Sequence, residues 1–168
     1  TNTYVEIDEV DLTKAFVVIY MASAETSSSK YASYTYVRAT FSDSTHLWLK
    51  RYSAAEPLMV AWYVVECLQD QWIVSSVSYT MASSSVYWGG PFGTVPPPSI
   101  DRSMYFINYK YNGDSYYPRY IGLEAQTDGQ RIICFRDTGS SSVDIATYIV
   151  NFNNRYFNHG NMSVYTTY

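Results

Sequence analysis

The chain is 168 residues long with a formal net charge of −4, and only 15% of it is charged while 18% is aromatic, including 19 Tyr. Its 11 Lys and Arg are scattered singly or in pairs, which argues against a nucleic-acid partner, because phosphate neutralisation needs clustered cations. A membrane-spanning helix is also excluded: the longest uncharged run, residues 71–100, is broken by Ser, Gly and four prolines.

Alternation with a period of two runs through the chain, in short stretches bounded by Ser, Gly, Asp and Asn. Strands are predicted over residues 3–7, 15–21, 35–41, 47–51, 59–67 and 73–79. A Ser-rich connection fills 22–33, and 42–45 is a tight turn. Residues 83–99 read as an irregular or extended linker, because Gly89-Gly90-Pro91 and Pro96-Pro97-Pro98 discourage ladder pairing. Further strands are predicted over 104–109, 120–127, 132–136, 144–152 and 162–167. Asp128-Gly129 marks a hairpin turn between two of them. Many short strands at this spacing give an all-β, antiparallel sandwich fold.

The strands recur. Val10-Asp11-Leu12-Thr13-Lys14-Ala15-Phe16-Val17 returns as Ile100-Asp101-Arg102-Ser103-Met104-Tyr105-Phe106-Ile107. Val60-Ala61-Trp62-Tyr63-Val64-Val65-Glu66-Cys67 returns eighty-five positions later as Ile145-Ala146-Thr147-Tyr148-Ile149-Val150-Asn151-Phe152. Residues 35–39 match 121–125, and 47–51 match 132–136. The expectation is two tandem sandwich units from an internal duplication, at 1–82 and 100–168, with 83–99 between them. Units this small have thin cores and are expected to share an interface. Ala61, Tyr63, Val65 and Cys67 stay apolar as Ala146, Tyr148, Val150 and Phe152, so that face is expected to be the core. Val37, Ala39 and Phe41 are placed inside by the same logic, with Arg38 and Glu124 pointing outward.

Chemistry-bearing patterns are sparse. His46 and His159 lack a partner at metal-ligand spacing. Glu6, Asp8, Glu9 and Asp11 cluster without the spacing of a calcium loop and read as a solvated strand end. No Gly-rich phosphate loop, Ser elbow or Cys-His pair is present. Asp11 and Asp101 hold matched positions at a strand start, as structural turn caps do. Cys67 and Cys134 are not repeats of each other; they read as buried thiols, or alternatively as one disulfide in an oxidising compartment. No catalytic residue, metal ligand or cofactor is expected. Candidate binding or interface residues are the aromatics Trp48, Tyr87, Trp88, Phe92, Tyr116, Tyr117 and Tyr120, whose rings suit protein contact or sugar stacking. Tyr87, Trp88 and Phe92 either plaster the linker onto a sandwich or form an exposed patch. The Thr1 start suggests a processed, exported protein, and Asn161-Met162-Ser163 is an N-glycosylation sequon.

The succession Val10 to Val17, then Val37-Arg38-Ala39-Thr40-Phe41, Leu47-Trp48-Leu49-Lys50-Arg51 and Val60 to Glu66 resembles a β-sandwich repeat of bacteriophage virion and tail-fibre proteins. It is also similar to the H-type lectin domain. The resemblance covers residues 10–67 and, in degenerate form, 100–152. It implies a six-stranded antiparallel sandwich with a role in assembly or carbohydrate contact and no catalysis. The expected function is a non-enzymatic structural subunit of an extracellular or virion surface assembly. Its Tyr-rich surfaces and terminal strands would join copies into a homo-oligomer or larger assembly. The alternative is a carbohydrate-binding, adhesin-like module.

Overall fold

The structure, a computed structural model, describes residues 2–23, 35–53, 57–83, 87–91, 102–113, 121–125, 131–136 and 141–153. The regular structure of these residues is all-β. The strands are β1 (Asn2–Glu6), β2 (Ala15–Ser23), β3 (Val37–Asp43), β4 (His46–Arg51), β5 (Leu58–Glu66) and β6 (Trp72–Met81). They continue as β7 (Tyr87–Pro91), β8 (Ser103–Tyr111), β9 (Ile121–Ala125), β10 (Arg131–Arg136) and β11 (Val143–Phe152). All pairing is antiparallel, in sheets ordered β1–β4–β3, β7–β10–β9, β6–β11–β8 and β2–β5.

Two of these sheets are ordered alike, β1–β4–β3 and β7–β10–β9, although the sequence repeat matches only β3 and β4 with β9 and β10. Asn2 faces Lys50 in β1–β4, and eighty-five positions on Tyr87 faces Phe135 in β7–β10. In β3–β4 Ala39 faces Leu49, whereas in β9–β10 Leu123 faces Cys134. That is a slide of two residues, which keeps every side chain on its face. The expectation of an irregular 83–99 is corrected here: Gly89, Gly90 and Pro91 are ladder residues opposite Ile133, Ile132 and Arg131. β7 lies at the edge of its sheet, and at an edge a proline's missing N–H need not break a ladder bond.

The central feature is β11. It pairs with β8 on one side and, across the expected unit boundary, with β6 on the other. Both of its faces are buried. Tyr148 and Val150 join Phe16, Val17, Ala39, Leu47 and Val74 in one core cluster, while Val143, Ile145 and Ile149 join Met81 and Tyr111 in another. A strand covered on both faces needs a near-continuous apolar sequence, and Ile145 to Val150 supplies it. β3 packs on β8 and β11. There the Asn108 side chain accepts a hydrogen bond from the Ala39 N–H at 2.7 Å, and the Tyr148 hydroxyl donates to the Ala39 carbonyl at 3.4 Å.

The core faces of β3 are as expected, with Val37 and Ala39 buried and Phe41 packed on the cluster. Those of β5 are as expected only in part: Val65 packs on the cluster and Cys67 is buried, but Ala61 is exposed. Trp62 and Val64 point to the core, whereas Tyr63 is 57% exposed although its repeat mate Tyr148 is only 2% exposed. The β11 face bearing Tyr148 is covered by β3, and among the described strands none covers β5 in the same way. Arg38 is corrected as well: it is half-buried, its Nε is buried without a partner, and burial lowers its pKa against the attraction of Asp144.

The crossover from β5 to β6 is pinned by several bonds. Asp70 takes a left-handed conformation (φ 52°), which Asp tolerates better than most residues. Its carboxylate meets Lys14 Nζ at 2.5 Å, and its carbonyl accepts from Asn153 Nδ2 at 2.6 Å. Trp72 Nε1 donates to the Lys14 carbonyl at 3.0 Å. The chain thus leaves the β2–β5 sheet and enters the β11 sheet within five residues, Cys67 to Gln71.

The asymmetry between the two repeat-matched tyrosines is directly testable. Tyr148→Ala should cost about 3–5 kcal/mol, as for other large aromatic truncations in cores, whereas Tyr63→Ala should change monomer stability by no more than about 0.5 kcal/mol. Denaturant unfolding of both variants at low concentration measures the difference; equal costs would mean that the faces are misassigned.

Candidate association surface

The β2–β5 sheet has two strands among the described residues, and its outward face is apolar. Tyr20, Met59 and Tyr63 are 64%, 71% and 57% exposed, and Tyr20 and Tyr63 meet edge to face with ring centroids 6.1 Å apart. A two-stranded ribbon is marginal in water on its own. Here its inner face is held by Val17, Ile19, Trp62 and Val64 in the core.

Beside that face, the β5 edge not paired with β2 borders open grooves. One, of 730 Å³, runs past Trp62, Tyr63, Val64 and Glu66 and is bounded opposite by Glu6, Ile7, Asp8 and Val10. A second, of 290 Å³, continues past Leu58 and Val60 toward Val37 and Leu49. The larger groove carries the acids Glu6, Asp8 and Glu66, and the smaller one is mainly apolar, lined by Leu58, Val60, Val37 and Leu49.

The candidate aromatics fall elsewhere. Trp48, on β4, is covered: Tyr4 stacks on it at 5.4 Å with a 12° interplanar angle, and Lys50 Nζ lies 2.7 Å from the ring centroid. Tyr87 and Trp88 lie on β7, whose backbone alone is described. Phe92, Tyr116, Tyr117 and Tyr120 lie outside the described residues. The structure therefore does not gather these residues with Trp48 into one site. Sequence reasoning missed Tyr20, Met59 and Tyr63 as a surface. The available signal was that Val60, Trp62 and Val64 form an equally apolar face.

Several described polar groups are occupied in turns and between strands. The Asp11 carboxylate accepts from the Thr13 N–H at 2.9 Å and the Thr13 hydroxyl at 2.7 Å, so Asp11 is a turn cap. Asp144 gathers Thr80 Oγ1 at 2.6 Å, Asn112 Nδ2 at 2.9 Å and Lys110 Nζ at 2.9 Å, tying β6, β8 and β11 together. Burial, followed by the nearby charges of Arg38 and Lys110, lowers the pKa of Lys50. Cys67 is a buried free thiol whose sulfur accepts from the Gln71 N–H at 3.1 Å. The Cys134 side chain lies outside the described set. No group of three or more His, Cys, Asp or Glu among the described residues is placed to hold a metal ion, and no described helix is long and apolar enough to cross a membrane.

The turn between β3 and β4 gives a pH test. Asp43 accepts from the Thr45 N–H at 2.9 Å and lies 2.9 Å from His46 Nδ1. The His46 bond first, then the two bonds from Thr45, bring its pKa from 3.8 to about 2. A carboxyl with a depressed folded-state pKa contributes stability that is present above its unfolded value and lost as pH falls toward the folded value. Asp43→Ala should therefore lower the melting temperature at pH 6, with the gap to wild type closing between pH 3.8 and about 2. A gap that stays constant through that window in thermal melts would contradict the assignment.

No protein-family model, curated protein or solved structure matches the chain, so its function is read from this geometry.

Proposed function

We propose that this protein is a non-enzymatic structural subunit that self-associates, as part of an extracellular or virion surface assembly. The observation that carries the reading is the outward face of the β2–β5 sheet. Its three large exposed side chains, Tyr20, Met59 and Tyr63, stand beside a strand edge that borders open grooves. Aromatic residues and Met are the residue types enriched in the buried centres of protein interfaces. Soluble monomers guard such edges with Lys, Pro or bulges, and Leu58 to Glu66 offers none of these along its length before the final Glu.

The carbohydrate-binding alternative has less support. Stacking on a sugar needs an open aromatic face, and Trp48 has Tyr4 and Lys50 over its ring.

Sedimentation velocity across a concentration series provides the test. The full chain should form multimers, and the paired change Met59→Glu with Tyr63→Glu should leave monomers with an unchanged far-UV circular dichroism spectrum. A wild-type chain that stays monomeric at high concentration while binding selected glycans on an array would overturn the reading in favour of the lectin.

A further inference from the structure

We infer that the seam where β3 meets the β8–β11 sheet binds a doubly charged oxyanion of the sulfate or phosphate type, held by Arg38 and Lys50. The site lies on other strands than the association surface of β5. Arg38 and Lys50 are direct partners across β3 and β4, so both project from one face of that sheet. Like charges placed directly opposite each other are destabilising. Among the described residues neither of the two forms an ion pair with a carboxylate. The Lys50 ammonium instead lies 2.7 Å from the ring centroid of Trp48, two residues away on the same face of β4.

The seam is short of acceptors as well as of negative charge. β3 packs on β8 and β11, and the Asn108 oxygen on β8 is taken by the N–H of Ala39, the residue after Arg38. Asn108 is 4% exposed, and its Nδ2 is buried without a partner, as are Arg38 Nε and Trp48 Nε1. These three are the unpartnered buried side-chain nitrogens among the described residues, and all are donors. The nearby carboxylate, Asp144, is already engaged by Lys110 Nζ, Thr80 Oγ1 and Asn112 Nδ2. Burial first, then repulsion from Arg38 and Lys110, lowers the pKa of Lys50 against the weaker pull of Asp144. A half-buried cation without a counter-ion and a buried donor without an acceptor both cost stability.

The charge balance selects the ligand. Three cations, Arg38, Lys50 and Lys110, stand against one carboxylate, Asp144, which leaves two positive charges for an incoming ion to balance. Cross-strand partners have Cβ atoms about 4.5–5.5 Å apart, a spacing from which a guanidinium and an ammonium can reach oxygens of one tetrahedral ion. Arg supplies several donors in a planar fork and Lys a point charge, the pairing that oxyanions favour. A long polyanion does not fit, because it needs clustered cations over many positions and the remaining Lys and Arg are scattered on a chain of net charge −4.

Thermal melts of the full chain in sodium sulfate and in sodium chloride of matched ionic strength, for the wild type and Lys50→Met, test the site. Met keeps an apolar stem over Trp48 and removes the charge. In chloride the variant should melt at the wild-type temperature or above it, because a repelled cation is gone. Sulfate strengthens burial in any protein; beyond that shared effect, the wild type alone should gain a further rise that saturates, as binding to the folded state requires. Equal rises in both chains would overturn the proposal. So would a variant that melts well below the wild type in chloride, since Lys50 would then serve the fold through a partner of its own. Calorimetric titration of the wild type with sodium sulfate at fixed ionic strength reads the site without a variant. Saturation at one ion per chain is expected, and heats equal to dilution would overturn the proposal. Methyl phosphate, a monoester that keeps two charges, should match sulfate if the group is carried on a larger molecule and bind more weakly if the site takes the free ion.

Discussion

The pairing of β6 with β11 is the constraint on which the rest of the molecule depends. β6 follows β5 after the five residues Cys67 to Gln71, yet it pairs with a strand more than sixty positions further along the chain. That displacement has two effects. It covers one edge of β11 and makes it the central strand of a sheet buried on both faces. It also removes β5's sequence neighbour from the β2–β5 sheet. The contacts that hold the crossover, Lys14 with Asp70, Trp72 with the Lys14 carbonyl, and Asn153 with the Asp70 and Gln71 carbonyls, bind the start of the first half to the end of β11. The covered core strand β11 and the two-stranded β2–β5 sheet of the described residues therefore follow from the same choice of partner.

The energetics point the same way. Tyr148 brings a hydroxyl into a nearly closed core, and burial pushes its pKa well above the ordinary tyrosine value. A buried hydroxyl costs about 1–3 kcal/mol without a partner, and the Ala39 carbonyl of β3 supplies one. The Asn108 side chain reaches from β8 to the Ala39 N–H on the same strand. β3 thus uses its own backbone to receive the second half's sheet. The ring of Phe41 against Tyr148 and the stack of Phe16 on Phe106 at 4.5 Å complete that seam. On β5 no described strand receives the matching residues in this way, and Tyr20, Met59 and Tyr63 stand exposed.

Much of the architecture was legible in the sequence, and the parts that were not have physical causes. Period-two alternation gave an all-β chain, and the repeat matched residues 35–39 and 47–51, on β3 and β4, with 121–125 and 132–136, on β9 and β10, which pair as neighbours in the same way. The face of β5 was misread because Val60 to Val65 is apolar on both sides, and the apparent guide, persistence of Ala, Tyr and Val in β11, comes from a strand buried on both faces. β7 was missed because Gly89-Gly90-Pro91 has turn chemistry locally and becomes a strand only through its ladder with β10. The β6–β11 pairing has no local signature at all: Ser75, Ser76 and Ser78 give an ordinary half-exposed strand whose partner is set by long-range closure. Trp48, chosen from its residue type, turned out to be capped by Tyr4 and Lys50, which only the register of β1 on β4 reveals.

The central claim is the proposal that the outward face and free edge of β5, as they stand among the described residues, form the surface through which copies associate. Hydrogen–deuterium exchange of the backbone amides of Leu58 to Glu66, followed over a dilution series, measures this most directly. Alternate amides on the edge away from β2 should gain protection as the protein assembles and lose it on dilution, while those of Val143 to Phe152 stay protected throughout. Equal protection of the β5 amides in the dilute monomer would contradict the account.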